Sequence, residues 1–264
     1  MASHPALRYI SLLHSSLTGR GSLSQKLAVM RDFREYLRAC AGDDRGFPIT
    51  RCKAYPRERG QVSGAMRGHY FHQDVHVARR VFEHNPERHI DVGSRIDGFV
   101  AHVASFRQIE VLDIRPQTDR CHDISFRQAD LLALGDELLG ASDSVSCLHT
   151  IEHIGLGRYG DPIDPGGHVS AVRALGAMVR SGGRLYVSTP IGPQRVEFHA
   201  HRVFGVPFLL EMLEREAGCD VRGFAYVDDA GDFHGDIDWT SKEAGDNFGC
   251  RYGCGIVELV KRDG

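Results

Sequence analysis

The strongest constraint on the fold is an alternation of short apolar runs with other segments in the second third of the chain. The runs occupy residues 89–93, 109–114, 125–129, 144–148 and 184–189. Between them lie segments with apolar residues at helical spacing, or a loop rich in glycine and proline. Strands that alternate with crossover helices form a parallel sheet that is covered by helices on both faces. The sequence therefore predicts a doubly wound α/β fold.

The end of the chain continues the sheet in a different way. Two further apolar runs, at residues 221–227 and 255–260, have no convincing helix between them. Strands without a crossover helix between them pair in antiparallel fashion. We therefore predict a mostly parallel sheet of seven strands whose last pair is antiparallel.

The first 68 residues have a different character. Residues 1–45 contain apolar positions at helical spacing, and residues 46–68 are rich in glycine, proline and arginine, which is typical of an irregular connector. We predict an N-terminal helical extension and connector over residues 1–68, followed by a single domain over residues 69–264. A helix of about four turns opens that domain and ends where Pro86 stops it.

Composition excludes several classes of protein. The chain has 264 residues and a formal net charge of −3, so no overall positive charge attracts it to nucleic acid. No apolar run approaches the roughly 20 residues of a membrane span, and the N-terminus lacks a long apolar signal core. The seven cysteines show no spacing typical of a disulfide framework. We expect a cytoplasmic protein without a membrane span, and the sequence leaves its oligomeric state open.

The loop after the first predicted strand, "DVGSRIDG", has the features of a ligand site. Ligands of open α/β sheets bind beyond the carboxyl ends of the strands. Gly93 and Gly98 would let backbone approach a ligand closely, and Asp91 adds a carboxylate. The dinucleotide motif G-x-G-x-x-G is absent, and Phe99 stands where a phosphate-binding loop has lysine. A cationic or zwitterionic ligand therefore fits better than a nucleotide phosphate.

The next two strands also end in acidic residues. Asp113 lies about 20 residues beyond the glycine turn, where a carboxylate can accept both ribose hydroxyls. Asp130, in "QADLL", is placed to contact an adenine amino group. Each carboxylate could instead satisfy its own loop. Three carboxylates at successive strand ends, however, favour a nucleoside-binding site.

The stretch "CLHTIEHI" contains H-x-x-E-H, which is a signature of inverted zinc peptidases. Such a site requires a long helix that directs both histidines to the metal. The preceding "SDSVSC" is β-like, and Gly155 and Gly157 follow almost at once. We therefore predict His149 at the end of the fourth strand, with Glu152 and His153 in the turn beyond it. The peptidase interpretation is disfavoured.

These motifs together resemble those of class I S-adenosylmethionine-dependent methyltransferases over roughly residues 69–262. The stretches that carry the resemblance are "HIDVGSRIDGFVAHV", "VLDIRP", "RQADLLAL", "VSCLHTIEHIGLGRYGDP" and "VRSGGRLYVSTPIG". Within that superfamily, "GHYFHQD" and "IEHIGLGRYGDPIDP" most resemble a bacterial and nematode domain family of unknown function. The first motif departs from the usual E/D-x-G-x-G-x-G, because it keeps only Gly93 and Gly98.

The resemblance implies a Rossmann-like methyltransferase fold that binds S-adenosylmethionine. The residues it assigns to this cofactor are Asp91, Gly93, Ser94 and Gly98 around the methionine part, Asp113 at the ribose, and Asp130 with Leu131 at the adenine. Gln73 and Asp74, in the helix before the first strand, would lie near the carboxylate of the cofactor.

The resemblance also suggests a metal site. An E-x-x-E-H motif at this position resembles the metal site of ubiquinone-biosynthesis O-methyltransferases and of small-RNA 3′-terminal 2′-O-methyltransferases. The corresponding candidate ligands here are His149, Glu152, His153, His199 and His201. Such a set suits Mg, Mn or Zn, and histidine-rich ligation favours transition ions. Two alternatives stay open, namely that His149 or His153 is a metal-free general base, or that Glu152 and His153 are structural.

The function that this reading favours is O-methylation of a hydroxyl on a small molecule or glycan precursor. His149, Glu152 and His153 are the candidate catalytic residues, because imidazole accepts protons near neutral pH. One alternative is an RNA 2′-O-methyltransferase in which the basic segment "RCKAYPRERGQVSGAMRGH" contacts phosphates. Another is a cofactor-binding module without turnover.

Overall fold

The computed structural model describes residues 10, 14, 20–40, 46–47 and 49–263. The chain divides into two compact units, Met1–Ala65 and Met66–Gly264. The first contains helix α1 (Leu23–Cys40), and most of the helical extension predicted before it lies outside the described residues. Residues 49–68 are irregular apart from a turn at residues 56–60, and they contain no helix or strand. Within the described ranges, no helix has the length and apolar character needed to cross a membrane.

The second unit is built on one mixed sheet of eight strands in the order β3-β2-β1-β4-β5-β10-β8-β9. The strands are β1 (His89–Val92), β2 (Ile109–Asp113), β3 (Ile124–Gln128), β4 (Ser142–Leu148), β5 (Val179–Ile191), β8 (Cys219–Val227), β9 (Phe233–His234) and β10 (Gly253–Lys261). The first five run parallel, and β10 lies antiparallel between β5 and β8. This order confirms the predicted doubly wound, mostly parallel sheet with an antiparallel last pair.

Helices cover both faces of the sheet. They are α2 (His69–His84), a π-helical turn (Ile96–Val100) that continues into α3 (Ala101–Ala104), α4 (Gly167–Met178), α5 (Val206–Ala217) and the short α6 (Lys242–Gly245). Apolar side chains of α2 and α3 pack in one core cluster, and those of α4 and α5 pack in the other. Helix α2 ends as predicted, because Asn85 takes the left-handed conformation and Pro86 follows.

Four details differ from the prediction. The sheet has an eighth strand, because the two residues of β9 pair with the end of β8. The run predicted at 184–189 is part of a longer strand, because helix α4 ends at Met178 and β5 begins at the next residue. Helix α5 and a hairpin of β6 (Arg195–Glu197) and β7 (His201–Val203) were not predicted at all. The hairpin matters because it carries two of the candidate ligands.

Candidate functional site

Two clefts lie beyond the carboxyl ends of the parallel strands, where the strand order reverses between β1 and β4. The first, which we call the aspartate cleft, contains about 720 Å³ of empty space, including open solvent at its mouth. Its lining includes Gly93, Asp113, Asp130, Leu131, His149, Thr150 and His153.

The turn after β1 requires a glycine. Gly93 has a φ of 72°, and a Cβ atom there would lie 2.7 Å from the Cγ2 atom of Thr150. Both the left-handed backbone and the close approach exclude a larger side chain. Gly93 therefore lets the β1 loop lie close against Thr150 in the lining of the aspartate cleft, and its approach to a cofactor stays a prediction.

Three of the predicted cofactor-binding residues follow β2 and β3 and line the aspartate cleft. The Asp113 carboxylate accepts hydrogen bonds from the Arg115 guanidinium, at 3.0 Å from Nε and 2.6 Å from Nη2. Asp130 accepts a hydrogen bond from the Leu132 backbone N–H at 2.9 Å, and Leu131 supplies an apolar surface. The two carboxylates therefore reach the same opening from neighbouring strand ends.

The other three predicted cofactor-binding residues do not line the cleft. Asp91 is fully buried and accepts hydrogen bonds from Ser94 Oγ and Ser146 Oγ, both at 2.6 Å. Burial raises the pKa of Asp91 to about 6, although these hydrogen bonds oppose the shift. Ser94 Oγ accepts a hydrogen bond from the Leu148 N–H at 3.1 Å. Asp91 and Ser94 thus tie the β1 loop to β4, and their contact with a cofactor stays a prediction.

Gly98 packs against helix α2. A Cβ atom at Gly98 would lie 2.3 Å from Asp74 Oδ2, so the two elements touch here. Gln73 Nε2 donates a hydrogen bond to Asp74 Oδ1 at 3.0 Å, and Ser188 Oγ donates to Gln73 Oε1 at 2.5 Å. Burial raises the pKa of Asp74. These contacts fix the start of α2 beside the β1 loop.

The second cleft, which we call the histidine cleft, adjoins the first. The two share Gly93, Arg115, His149, His153 and Tyr159 in their linings. The further lining residues of the histidine cleft are Tyr70, Arg95, Leu148, Glu152, Arg158, Ala200, His201 and Tyr252. Molecules bound in the two clefts would therefore contact the same five side chains or backbone segments.

The H-x-x-E-H stretch has the predicted placement. His149 directly follows β4 with a φ of 51°, and residues 150–157 form turns instead of a helix. This conformation contradicts the zinc-peptidase interpretation. Arg202 of β7 holds the turn in place, because its N–H and guanidinium donate to the carbonyl oxygens of Glu152 and Ile154 at 3.0 and 2.7 Å.

Two histidines flank one oxygen of Glu152. His149 Nδ1 lies 2.7 Å from Glu152 Oε1, and His153 Nε2 lies 3.7 Å from the same atom. His153 Nδ1 donates to the Ala200 carbonyl oxygen at 2.7 Å. The side chains of His149, Glu152 and His153 are 5%, 1% and 12% exposed, respectively. The geometry therefore brings the three candidate catalytic residues together in a largely dehydrated place.

Burial and charge act differently on the three groups. Burial alone would lower the pKa of His149, but the adjacent Cys254 and Glu152 outweigh it and raise this pKa well above its usual value. Burial opposes ionisation of Glu152, yet interaction with His149 lowers its pKa. Burial lowers the pKa of His153. At neutral pH, Glu152 is thus a carboxylate and His153 a neutral imidazole.

The structure does not support the metal site predicted from the sequence. His199 is exposed, lies in the loop of the β6–β7 hairpin and lines neither cleft. His201 reaches the histidine cleft, but its Nε2 is 3.4 Å from Glu197, and its ring centroid is 6.4 Å from that of His153. The hairpin directs the two histidines to different surroundings, so the five candidates do not converge.

Sequence reasoning missed two residues beside His149. His69 begins α2, and its ring is parallel to that of His149 with a centroid distance of 5.3 Å. Cys254 lies in β10 and is completely buried. No spacing rule connects these positions, although His69 falls within the "GHYFHQD" stretch. Burial and the neighbouring His149 lower the pKa of His69 to about 4.

Comparisons with known proteins agree with this architecture. Residues 102–230 match the family described as "Caenorhabditis protein of unknown function, DUF268". No curated protein has a significantly similar sequence.

Among solved structures, the N-methyltransferase NodS of Bradyrhizobium japonicum WM9 with S-adenosylhomocysteine has a TM-score of 0.50 at 13% identity, over 74% of this chain and 89% of that one. The 1,6-didemethyltoxoflavin-N1-methyltransferase of Burkholderia thailandensis, bound to 1,6-didemethyltoxoflavin and S-adenosylhomocysteine, has a TM-score of 0.51 at 15% identity, over 92% of each chain. The [4+2]-cyclase SpnF has a TM-score of 0.51 at 17% identity, over 92% of this chain and 98% of that one.

At such identities the solved structures establish the fold and leave the activity open. The family match covers the region from α3 to the end of β8. This region includes the H-x-x-E-H turn, which lines both clefts, and the strand ends that carry Asp113 and Asp130. The resemblance inferred from the sequence motifs is confirmed: the chain has the fold of the class I S-adenosylmethionine-dependent methyltransferases and matches the DUF268 family over residues 102–230.

Proposed function

We propose that this chain binds S-adenosylmethionine in the aspartate cleft and methylates a hydroxyl group of a small molecule or glycan precursor in the histidine cleft. The observation that carries this proposal is that the two clefts adjoin, with Gly93, His149 and His153 in the linings of both. Methyl transfer needs the sulfonium and the acceptor oxygen in contact and in line. Adjoining clefts with common lining residues would allow a bound cofactor and a bound acceptor to meet.

The aspartate cleft suits the nucleoside part of the cofactor. Asp113 would accept the ribose hydroxyls, and Asp130 with Leu131 would contact the adenine, since all three line this cleft. Gly93, which also lines it, would lie beside the methionine part. The sulfonium of the cofactor makes the methyl group transferable, so the protein supplies position, exclusion of water and a proton acceptor.

His153 is the favoured proton acceptor. Its Nδ1 is held by the Ala200 carbonyl oxygen, which fixes the tautomer that leaves a lone pair on Nε2. The lowered pKa keeps the ring neutral at neutral pH. In the reaction, the acceptor oxygen would bond to the methyl carbon as the carbon–sulfur bond breaks, and its proton would pass to His153 Nε2. The products are a methyl ether and S-adenosylhomocysteine.

Glu152 and His149 assist this proton transfer without accepting the proton themselves. The Glu152 carboxylate lies 3.7 Å from His153 Nε2, so its negative charge would stabilise the imidazolium that forms. The hydrogen bond from His149 orients Glu152 and keeps it ionised. We therefore assign proton transfer to His153, charge stabilisation to Glu152 and positioning to His149.

The lining of the histidine cleft favours a polar acceptor with an anionic group. Three arginines and three tyrosines surround it, namely Arg95, Arg115, Arg158, Tyr70, Tyr159 and Tyr252. The Arg95 and Arg115 guanidinium groups lie 4.8 Å from the ring centroids of Tyr70 and Tyr159. Guanidinium groups bind carboxylates and phosphates in bidentate fashion. A sugar phosphate or a hydroxylated aromatic acid has the required chemistry.

Binding and turnover are separate questions, because SpnF shows that a cyclase can share this fold. Calorimetry with S-adenosylmethionine and S-adenosylhomocysteine tests binding. Mass spectrometry with a methyl-deuterated cofactor then tests transfer to hydroxylated acids, sugar phosphates and short RNA. We expect both cofactors to bind and a small acceptor to gain the label. Binding without a labelled product would favour the module without turnover, and labelled RNA alone would favour the nucleic-acid alternative.

A further inference from the structure

Three side chains from distant parts of the sequence come together beside the histidine cleft. His69, His149 and Cys254 each offer one nitrogen or sulfur atom, and these atoms all lie within 4.8 Å of one another. Within the part of the chain that the structure describes, no other three His, Cys, Asp or Glu side chains meet this criterion. The three come from the start of α2, the end of β4 and the middle of the sheet in β10.

One atom in this group lacks a partner. The His149 side chain is only 5% exposed, and its Nε2 atom is buried without a hydrogen bond. The Cys254 thiol lies beside His149, and its own contacts are to Gln73 Oε1 and the Gly255 carbonyl oxygen, at 3.9 and 3.7 Å. A buried polar atom without a partner is destabilising. Nε2 therefore points to a missing ligand.

The outer contacts of both histidines are those of metal ligands. His149 Nδ1 is hydrogen-bonded to Glu152 Oε1 at 2.7 Å, and the His69 ring is hydrogen-bonded to the backbone of Tyr252. Metal-binding histidines usually donate their second N–H to a carboxylate or a carbonyl oxygen, which fixes the ring and its tautomer. Both rings are thus oriented before any ion binds.

From these observations we infer that His69, His149 and Cys254 bind a Zn²⁺ ion. Two imidazoles and a thiolate suit zinc, whereas Mg²⁺ and Mn²⁺ prefer oxygen ligands. Tetrahedral zinc holds such atoms about 3.3–3.7 Å apart, so small side-chain rotations close the site. Three protein ligands leave the fourth position for water. This set shares only His149 with the ligands predicted from the sequence.

The proposed ion would link three elements that the sequence separates. It would fasten the first residue of α2 to β4 and β10, beside the loop that Gly98 and Asp74 hold together. An ion that binds only the folded protein raises its melting temperature. This inference does not depend on methyl transfer, because its readouts are spectroscopic and thermal.

Cobalt titration of the metal-free full chain tests the site. We expect one equivalent of Co²⁺ to give a thiolate-to-cobalt charge-transfer band with the visible bands of a tetrahedral ion, and Zn²⁺ to displace it. Cys254→Ser should remove the charge-transfer band, and His69→Gln should weaken Zn²⁺ binding by about 100-fold or more. Cys250→Ser replaces a buried cysteine outside the group and should keep both properties.

Three results would overturn the inference. They are a wild-type chain without the charge-transfer band, a band that persists in Cys254→Ser, and Zn²⁺ affinity that falls in His153→Gln but not in His69→Gln. The last would assign the ion to the H-x-x-E-H group. Zn²⁺ should raise the melting temperature of the wild type and not of Cys254→Ser. Because His69 is only partly buried, its variant supplies a test even if the cysteine variant fails to fold.

Discussion

The aspartate cleft and the histidine cleft share a wall but are built in different ways. In the first, each acidic residue is held by a group two positions away, Asp113 by Arg115 and Asp130 by Leu132. In the second, His149 meets residues from α2 and β10, and His153 meets the β6–β7 hairpin. Local loops therefore shape one cleft, whereas the topology of the whole sheet shapes the other.

This difference has an energetic consequence. The carboxylates of the aspartate cleft sit at strand ends with part of their surface in water, so losing one removes a hydrogen bond of modest strength. The charged groups around Glu152 are almost completely dehydrated, and electrostatic interactions are stronger in such surroundings. Substitutions in the histidine cleft should therefore have the larger effects.

The largest effect is expected at His153. Replacing it with alanine removes the proton acceptor, so kcat should fall by about 10²–10³-fold, with little change in cofactor affinity. Because the pKa of His153 is lowered by burial, the wild-type rate should be constant through neutral pH and decline only below about pH 6.5, as the base becomes protonated. Steady-state kinetics with an identified acceptor measures both. A His153→Ala enzyme with full activity would leave His153 a structural residue.

The next largest effect is expected at Asp113. In Asp113→Ala, S-adenosylhomocysteine should bind about 10- to 150-fold more weakly, which corresponds to about 1.5–3 kcal/mol for hydrogen bonds to a charged group. Calorimetry measures this directly. Asp136→Ala is a matched control, since Asp136 is exposed and lies outside both clefts. Equal affinities in the two variants would remove the ribose assignment.

A third prediction concerns the pairing of β1 with β4, the two strands whose carboxyl ends lead to the clefts. His89 is completely buried between Ser144 Oγ and Ser146 Oγ, at 2.7 and 3.1 Å, and burial lowers its pKa to about 3. The unfolded chain binds a proton near pH 6.5 and the folded chain does not, so acid favours unfolding. The stability from His89 is complete above pH 6.5 and is lost as the pH falls towards 3.

The loss from His89 should reach about 2 kcal/mol between pH 7 and pH 5. Urea unfolding at the two pH values measures it. The pH-dependent loss should be smaller by that amount in His89→Gln, and unchanged in His122→Gln, which replaces an exposed histidine. An identical pH dependence in wild type and His89→Gln would contradict this assignment.

The contrast between the clefts also explains what the sequence could predict. The glycine turn and the acidic residues at strand ends follow from a rule about where strands end, and Gly93, Asp113, Asp130 and Leu131 all line the aspartate cleft, where that rule expects a ligand. Their contact with a cofactor stays a prediction. Asp91 and Ser94 satisfy the same rule, yet their side chains turn inward to Ser146 and Leu148. Strand position does not specify the direction of a side chain within its loop.

The unpredicted parts have separate physical causes. Helix α5 had readable signals, with proline in its first turn and Gly218 in the left-handed conformation at its end. The strands β6 and β7 have only three residues each, which is too short for a periodic pattern. The group of His69, His149 and Cys254 depends on the position of β10 beside β5, and no local pattern contains that information.

The smallest effect is expected at His199, which lies in the same hairpin as His201 but does not line the histidine cleft. The sequence grouped His199 with His201, but only His201 lines the histidine cleft. His199→Ala should therefore leave cofactor affinity, kcat and Zn²⁺ binding within error of the wild type, because an exposed side chain outside both clefts has no dehydrated partner to lose. Calorimetry, steady-state kinetics and metal titration measure the three quantities. A tenfold loss of kcat with unchanged Zn²⁺ binding would mean that the hairpin closes over the acceptor. In that case the histidine cleft would be complete only after the β6–β7 hairpin had moved, whereas the aspartate cleft is formed by local loops alone.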